Sequence, residues 1–211
     1  MMTVYSTILF DFGGVLSAEG FRHGLEAIGR EQGLDPAETV RLGKEIVFSS
    51  GYVVGTAEET SFWEAFRRRT GITAADQELR RQILNRFQLY PEMVAAVKRL
   101  RALGFTVAIV SDQTNWLDEL EERHHFFALF HRVFNSYHHG RNKRDPRFFT
   151  EVLDQLGCKP AEALFLDDDP GNVECAQSQG IQGIRVTAPD QALRELEQLL
   201  AVDLLLQKGE V

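Results

Sequence analysis

The sequence predicts an α/β fold: a doubly wound, Rossmann-like parallel sheet carrying an inserted all-helical unit. Three observations predict it. Five short apolar runs, at residues 7–11, 106–110, 132–135, 163–167 and 183–186, have strand character. Stretches of helical period lie between most of them. Near-continuous apolar strands alternating with helices mark a parallel sheet covered on both faces. The interval between the first two runs is different, with several helix starts and no convincing strand.

The first run reads Ile8-Leu9-Phe10-Asp11-Phe12-Gly13-Gly14-Val15-Leu16. It ends in one carboxylate, followed by two glycines able to bend the backbone sharply around it. Asp11 therefore falls at the carboxyl end of a strand, the edge at which open α/β sheets carry their chemistry. In the next interval, Asp35-Pro36-Ala37-Glu38 reads as a cap, a first-turn proline and an N3 acid. Thr56-Ala57-Glu58-Glu59 reads as a capping box, Thr73-Ala74-Ala75-Asp76 as a less complete one, and Phe62, Trp63 and Phe66 as a core stripe. This block is too long for a simple crossover helix. Residues 17–90 are accordingly expected to form a helical cap inserted after the first strand, with 1–16 and 91–211 forming the core.

Beyond it, Pro91 opens a helix over 91–103 with Val94, Val97 and Leu100 on its inner stripe and Gly104 at its end. Asp145-Pro146 caps the next, whose inner face is Phe149, Val152, Leu153 and Leu156. Asp169-Pro170 caps a helix over 171–179, and Gly180 stops it. A terminal helix with a frayed end closes the chain.

At 211 residues, 44% apolar and 26% charged, the chain suits one ordinary domain or one domain with a sizeable insert. Its net charge of −8 argues against broad binding to nucleic acid or anionic membranes and fits a small-molecule partner. No run approaches the ~18 apolar residues of a membrane span. The first strand begins within a few residues of the N-terminus and carries Asp11, which is no signal peptide, so the cytoplasm is the expected compartment. The two cysteines, Cys158 and Cys175, lie far apart in helix-like contexts and read as small buried thiols. Nothing in the sequence sets the oligomeric state.

Four positions fall just beyond strand ends: Asp11, Ser111, the Lys143 loop and Asp167-Asp168-Asp169. A doubly wound sheet brings such ends to one edge. Neighbouring acids there repel one another unless a cation or a proton intervenes. Oxygen ligands without histidine or cysteine suit Mg²⁺, which keeps waters and takes one or two carboxylates beside a phosphate-bearing substrate. Lys143 can neutralise a carboxylate or a transferring phosphoryl group, and Ser111 can donate to anionic oxygens.

At these residues the chain resembles the haloacid dehalogenase-like (HAD) hydrolase superfamily. That family's four motifs are hhhDxDx[TV], hhhh[ST], a lysine and an acidic pair after a late strand. Their counterparts here are Ile8-Leu9-Phe10-Asp11-Phe12-Gly13-Gly14-Val15, Val107-Ala108-Ile109-Val110-Ser111, Lys143 and Leu164-Phe165-Leu166-Asp167-Asp168. The lysine context Ser136-Tyr137-His138-His139-Gly140-Arg141-Asn142-Lys143-Arg144-Asp145-Pro146 is similar to the family's S-x3-G-x2-K-P-D-P. The resemblance implies strand order 3-2-1-4-5, a C1-type cap and Mg²⁺-dependent hydrolysis of a small phosphorylated metabolite. Asp11 would be the nucleophile that forms an aspartyl-phosphate. Asp11, the Gly13 carbonyl and Asp168 would hold the metal, with Asp167 behind them or on a metal-bound water. Ser111 and Lys143 would hold the phosphoryl oxygens.

One departure matters. The family's second motif-one aspartate acts as general acid and then base, and Gly13 stands in its place. Three explanations stay open: a phosphatase with a good leaving group or another acid, a metal-independent 2-haloacid dehalogenase, or a phosphate-ligand binding or vestigial protein with little turnover. Asp112, after Ser111, and Glu19, in the loop leaving the first strand, are the two candidate substitute acids. Asp169 reads as a helix cap, His124-His125 and His138-His139 as solvated pairs, and Arg67-Arg68-Arg69 as a wet helix face. Phe48, Tyr52 and Trp63 read as helical core, with the lining of a substrate pocket under the cap as the alternative.

Overall fold

The computed structural model describes residues 5–204. Five parallel strands, β1 (Thr7–Phe10), β2 (Thr106–Ser111), β3 (Arg132–Asn135), β4 (Ala163–Asp167) and β5 (Gln182–Arg185), form one sheet in the order β3-β2-β1-β4-β5. That is the order the resemblance implies. The strands match the five apolar runs with small shifts: β1 stops at Phe10, β2 runs on to Ser111, and β5 lies one residue earlier than expected. Register aligns Phe10 with Ile109 and with Leu166. Asp11, Ser111 and Asp167 consequently emerge together at one edge.

Around the sheet, the described residues form ten α-helices, besides three short 3-10 turns: α1 (Gly20–Glu31), α2 (Pro36–Ser49), α3 (Glu59–Thr70), α4 (Asp76–Leu84), α5 (Pro91–Ala102), α6 (Trp116–His124), α7 (Ser136–His139), α8 (Pro146–Leu156), α9 (Pro170–Ser178) and α10 (Pro189–Leu200). Alternation along β1 serves both faces of the sheet. Ile8 and Phe10 join a core with α5, α6 and α10, while Leu9 joins Phe148, Phe149 and Val152 of α8 and Ala176 of α9. The frayed end expected after the last helix falls on residues 205–211, outside those described.

Between β1 and α5 the chain is helical, as its pattern predicts. Two connecting segments carry it away from the sheet and back, and they bond to each other through Ala18 N–H to Gln88 O (2.9 Å) and Tyr90 N–H to Leu16 O (2.9 Å). Glu59 of α3 ties this block to the core. Its carboxylate accepts from Trp63 Nε1 (2.9 Å), from Arg80 of α4 (3.1 Å) and from Trp116 Nε1 at the start of α6 (2.8 Å). Tyr52 and Trp63 pack in the aromatic cluster around these groups, in line with a core reading.

Several local expectations need correction. Thr56 is no helix cap: α3 starts at Glu59 after Glu58, and the Thr56 hydroxyl bonds Gly51 O (3.2 Å) across a tight turn with Gly51 and Gly55 at positive φ. Ala75, not Thr73, precedes α4, and Asp76 pairs with Arg67 instead. The buried stripe of α5 is Met93, Ala96, Val97 and Leu100, with Val94 half-buried, because its inner face is rotated by one residue. Cys158 sits in the turn after α8, and both cysteines are free and only partly buried. The caps at Asp35, Asp145 and Asp169 form as expected, each carboxylate accepting a main-chain N–H.

Close helix packing in the block depends on glycine. A Cβ on Gly24 of α1 would lie 2.6 Å from Ile83 Cα of α4, too near for any side chain there. Gly24→Ala should therefore lower stability in urea unfolding by about 1–3 kcal/mol through overpacking, despite alanine's advantage of roughly 1 kcal/mol within a helix.

Candidate active site

Beyond β1 the chain turns within three residues, and Asp11 faces into a cavity of about 240 Å³. One oxygen of Asp11, Oδ1, takes three donors: Phe12 N–H (2.7 Å), Ser111 Oγ–H (2.6 Å) and Lys143 Nζ (2.8 Å). Those bonds fix the carboxylate and leave Oδ2 for chemistry. Gly14 makes the turn possible. Its φ of +79° is a left-handed conformation, and a Cβ would meet Asp168 Cγ at 2.7 Å.

Lys143 is buried to 1% exposure between two carboxylates, bonding Asp11 and, at 2.6 Å, Asp167 Oδ2. Burial alone would lower its pKa, but Asp11, Asp167 and Asp112 outweigh that and hold the ammonium above the usual lysine range. The loop that delivers it is anchored on both sides. Asp112 accepts the Lys143 main-chain N–H (2.9 Å), and Arg141 pairs with Glu151 of α8 (2.9 Å). An ammonium has three donors, so two are engaged here and the third remains.

The three acids after β4 have three different fates. Asp167 is fully buried and both its oxygens are used, by Lys143, by Asp169 N–H (2.8 Å) and by Asn172 Nδ2 (3.2 and 3.3 Å). Asp169 caps α9 through Gly171 N–H (2.8 Å). Asp168 accepts no hydrogen bond among the described residues. Burial, with Glu19 and Asp11 nearby, pushes its carboxyl up to about 6. Burial likewise raises Asp112 to about 6, against the pull of Lys143. Burial pushes Asp167 upward as well, while the Lys143 ammonium opposes it.

Asp11, Asp167 and Asp168 each offer an oxygen, and these lie within 4.8 Å of one another. Because Asp167 is committed to Lys143, the groups left for a cation are Asp168, the Asp11 carboxylate and Gly13, which lines the same cavity. The donors are all oxygens, and one lysine faces an excess of carboxylates. That is the chemistry a hard dication fits. Ser111, expected to hold a phosphoryl oxygen, orients Asp11 in this structure.

The cavity's walls come from segments distant in the sequence. Phe21, Val47, Phe48 and Val53 bring apolar surface, with Lys44 and Arg144 adding cations. Phe48, read as core, is half-buried in this wall with the Arg144 guanidinium 4.1 Å above its ring. Of these, Phe48 was open to a pocket-lining reading, and Arg144 stands where the related motif has proline. Asn172 was recognisable only as part of the run after Asp168. Among the histidines, His138 pairs with Asp118 at the surface (2.7 Å), and no metal cluster among the described residues includes one.

Comparison with known proteins gives a consistent pattern. A model of haloacid dehalogenase-like hydrolases matches residues 5–180. The mouse acyl-CoA dehydrogenase family member 10 is 31% identical over 95% of this chain, which covers only 20% of that longer protein. A sesquiterpene phosphatase of Aspergillus oryzae is 26% identical over 95% of this chain and 99% of its own length. Among solved structures, a HAD family enzyme of Bacteroides thetaiotaomicron in complex with magnesium and inorganic phosphate superposes with a TM-score of 0.68. It is 19% identical, over 87% of this chain and 96% of that one.

The buried triad makes a stability prediction. Lys143→Met leaves Asp11 and Asp167 without their cation, which should cost about 3–5 kcal/mol in denaturant unfolding at neutral pH. Burial then acts on Asp167 without an opposing ammonium, so that carboxyl favours its proton in the folded state. The loss should accordingly shrink as pH falls and Asp167 neutralises.

Proposed function

The chain belongs to the haloacid dehalogenase-like hydrolases, and on that premise we propose that it hydrolyses small phosphate monoesters with Mg²⁺ as cofactor. The observation that carries the proposal is the division of labour at the strand edge. One carboxylate is pinned by a buried lysine with an oxygen left over, and a second, Asp168, is unpartnered and short of cations. A bound cation accounts for that second acid, which a metal-independent dehalogenation would leave without a partner.

In this reading Asp11 Oδ2 attacks phosphorus in line and forms an aspartyl-phosphate as the ester oxygen departs. Lys143 holds Asp11 Oδ1 and directs its third N–H at a phosphoryl oxygen. Asp167 holds Lys143 and does not touch the substrate. Mg²⁺, held by Asp11, the Gly13 carbonyl and Asp168, would supply charge neutralisation at the phosphoryl oxygens. The helical block acts as a cap: Phe21 and Phe48 form an apolar wall for the organic part of the substrate.

Gly13 supports a second reading, binding without turnover, because it removes the usual proton donor. The deciding measurement is phosphate release from aryl and alkyl phosphates with and without Mg²⁺. Turnover that needs Mg²⁺ and falls more than about 10³-fold in Asp11→Asn is expected, the scale on which losing a covalent nucleophile acts. Beryllium fluoride bound with Mg²⁺ but no phosphate release would favour the second reading.

Metal binding has its own readout. Mg²⁺ at about 100 times its dissociation constant should raise stability by roughly 2.7 kcal/mol in thermal melts, and Asp168→Ala should abolish the rise. Asp168 must lose its proton to bind, and its carboxyl lies at about 6. The Mg²⁺-dependent stabilisation should therefore fade as pH is lowered from 7 to 5.

A further inference from the structure

The geometry points to Glu19 as the general acid and base that Gly13 cannot supply, an inference that rests on the phosphatase reading above. A Cβ built on Gly13 would lie 3.5 Å from Glu19 Oε1. The Glu19 carboxylate thus approaches, from another segment, the space into which an aspartate at position 13 would extend. Glu19 and Gly13 both line the cavity that Asp11 faces.

The structural role open to Glu19 is not the one its side chain plays. It is the N-cap residue of α1, and its carbonyl accepts the first helical bond, from His23 N–H (2.9 Å). Its carboxylate makes no capping bond. Oε2 instead faces two cations, Arg22 Nε at 3.4 Å and Lys44 Nζ at 3.7 Å, while Oε1 is the oxygen turned toward Gly13. The side chain is held with 20% of its surface exposed. Asp112, the other candidate, is engaged differently: its Oδ1 holds the Lys143 main chain, so it positions the lysine.

Gly13 also differs from its neighbour. Its φ is not in the left-handed range, and a Cβ there would meet atoms only at 3.5–3.8 Å, ordinary contact distances. The backbone permits a side chain at 13, and the carboxylate comes from residue 19.

The step balances as follows. Asp11 Oδ2 bonds to phosphorus, the phosphorus–ester oxygen bond breaks, and the proton on Glu19 passes to the departing alkoxide. Water then attacks the aspartyl-phosphate and gives its proton to the Glu19 carboxylate. Inorganic phosphate leaves, and Asp11 and protonated Glu19 are restored.

The test uses the full chain with Mg²⁺ and two probes, p-nitrophenyl phosphate and β-glycerol phosphate. The aryl oxide needs no proton to leave; the alkoxide does. For Glu19→Gln, kcat/KM, which covers the steps through loss of the leaving group, should fall about 10²-fold or more with β-glycerol phosphate and stay within about threefold with p-nitrophenyl phosphate. Its kcat should fall with both, with a burst of p-nitrophenol, because hydrolysis of the aspartyl-phosphate loses its base. The double variant Gly13→Asp/Glu19→Ala should recover β-glycerol phosphate turnover relative to Glu19→Ala, which a purely structural glutamate would not allow. Equal losses of kcat/KM with both probes, or no recovery in the double variant, would overturn the assignment and leave the phosphatase reading standing. A wild-type chain that hydrolyses neither probe would overturn both.

Discussion

A lysine ammonium buried between two aspartates is the constraint on which the rest of the site depends. Isolated, any of the three charges would be costly at that depth. Together they fix one another: Asp167 receives Lys143 and two further donors, and Lys143 in turn holds Asp11 Oδ1 beside Ser111. The arrangement joins three strand ends, β1, β2 and β4, with the loop before α8. It therefore requires the sheet order and register seen here, since a slip of one residue would turn Asp11 or Asp167 to the opposite face.

The same constraint separates the roles of residues that look alike in the sequence. Asp167, Asp168 and Asp169 are adjacent carboxylates, yet the first satisfies Lys143, the third satisfies a helix N-terminus, and only the second is left with excess negative charge around it. Gly13 and Gly14 divide similarly. Gly14 has a positive φ and lies under Asp168, so its lack of a side chain is a backbone requirement. Gly13 has no such requirement.

Much of this was legible beforehand because it is encoded locally. Apolar runs ended by a carboxylate or hydroxyl gave the strands and placed Asp11, Ser111 and Asp167 on one edge. Asp-Pro pairs gave the helix starts at Pro146 and Pro170. What stayed hidden depends on packing between distant segments. Lys44 reaches the cavity because α2 packs on α1, and nothing in the sequence around it records that. Thr56 met the pattern of a capping box, but the two left-handed glycines before it claimed its hydroxyl for a turn. Which oxygen of Asp11 is free depends on donors from positions 12, 111 and 143, and so no local pattern could supply it.

Placing an acid at residue 19 instead of 13 changes what the helical block does. An aspartate at 13 would belong to the rigid turn after β1 and keep its position whatever the block did. Glu19 stands at the first turn of α1, and Lys44 on α2 faces the same oxygen that Arg22 does. Gly20, next in the chain, packs so tightly on Phe87 that no side chain fits, which seats the start of α1 against the segment returning to the core. The position of the Glu19 carboxylate is thus set by how α1 and α2 sit over the strand edge. Asp11 at the end of β1 and Lys143 in the loop before α8 are already held against each other. On the proposed mechanism the acid comes from the same block whose Phe21 and Phe48 line the cavity, so substrate contact and proton delivery would be coupled through one pair of helices.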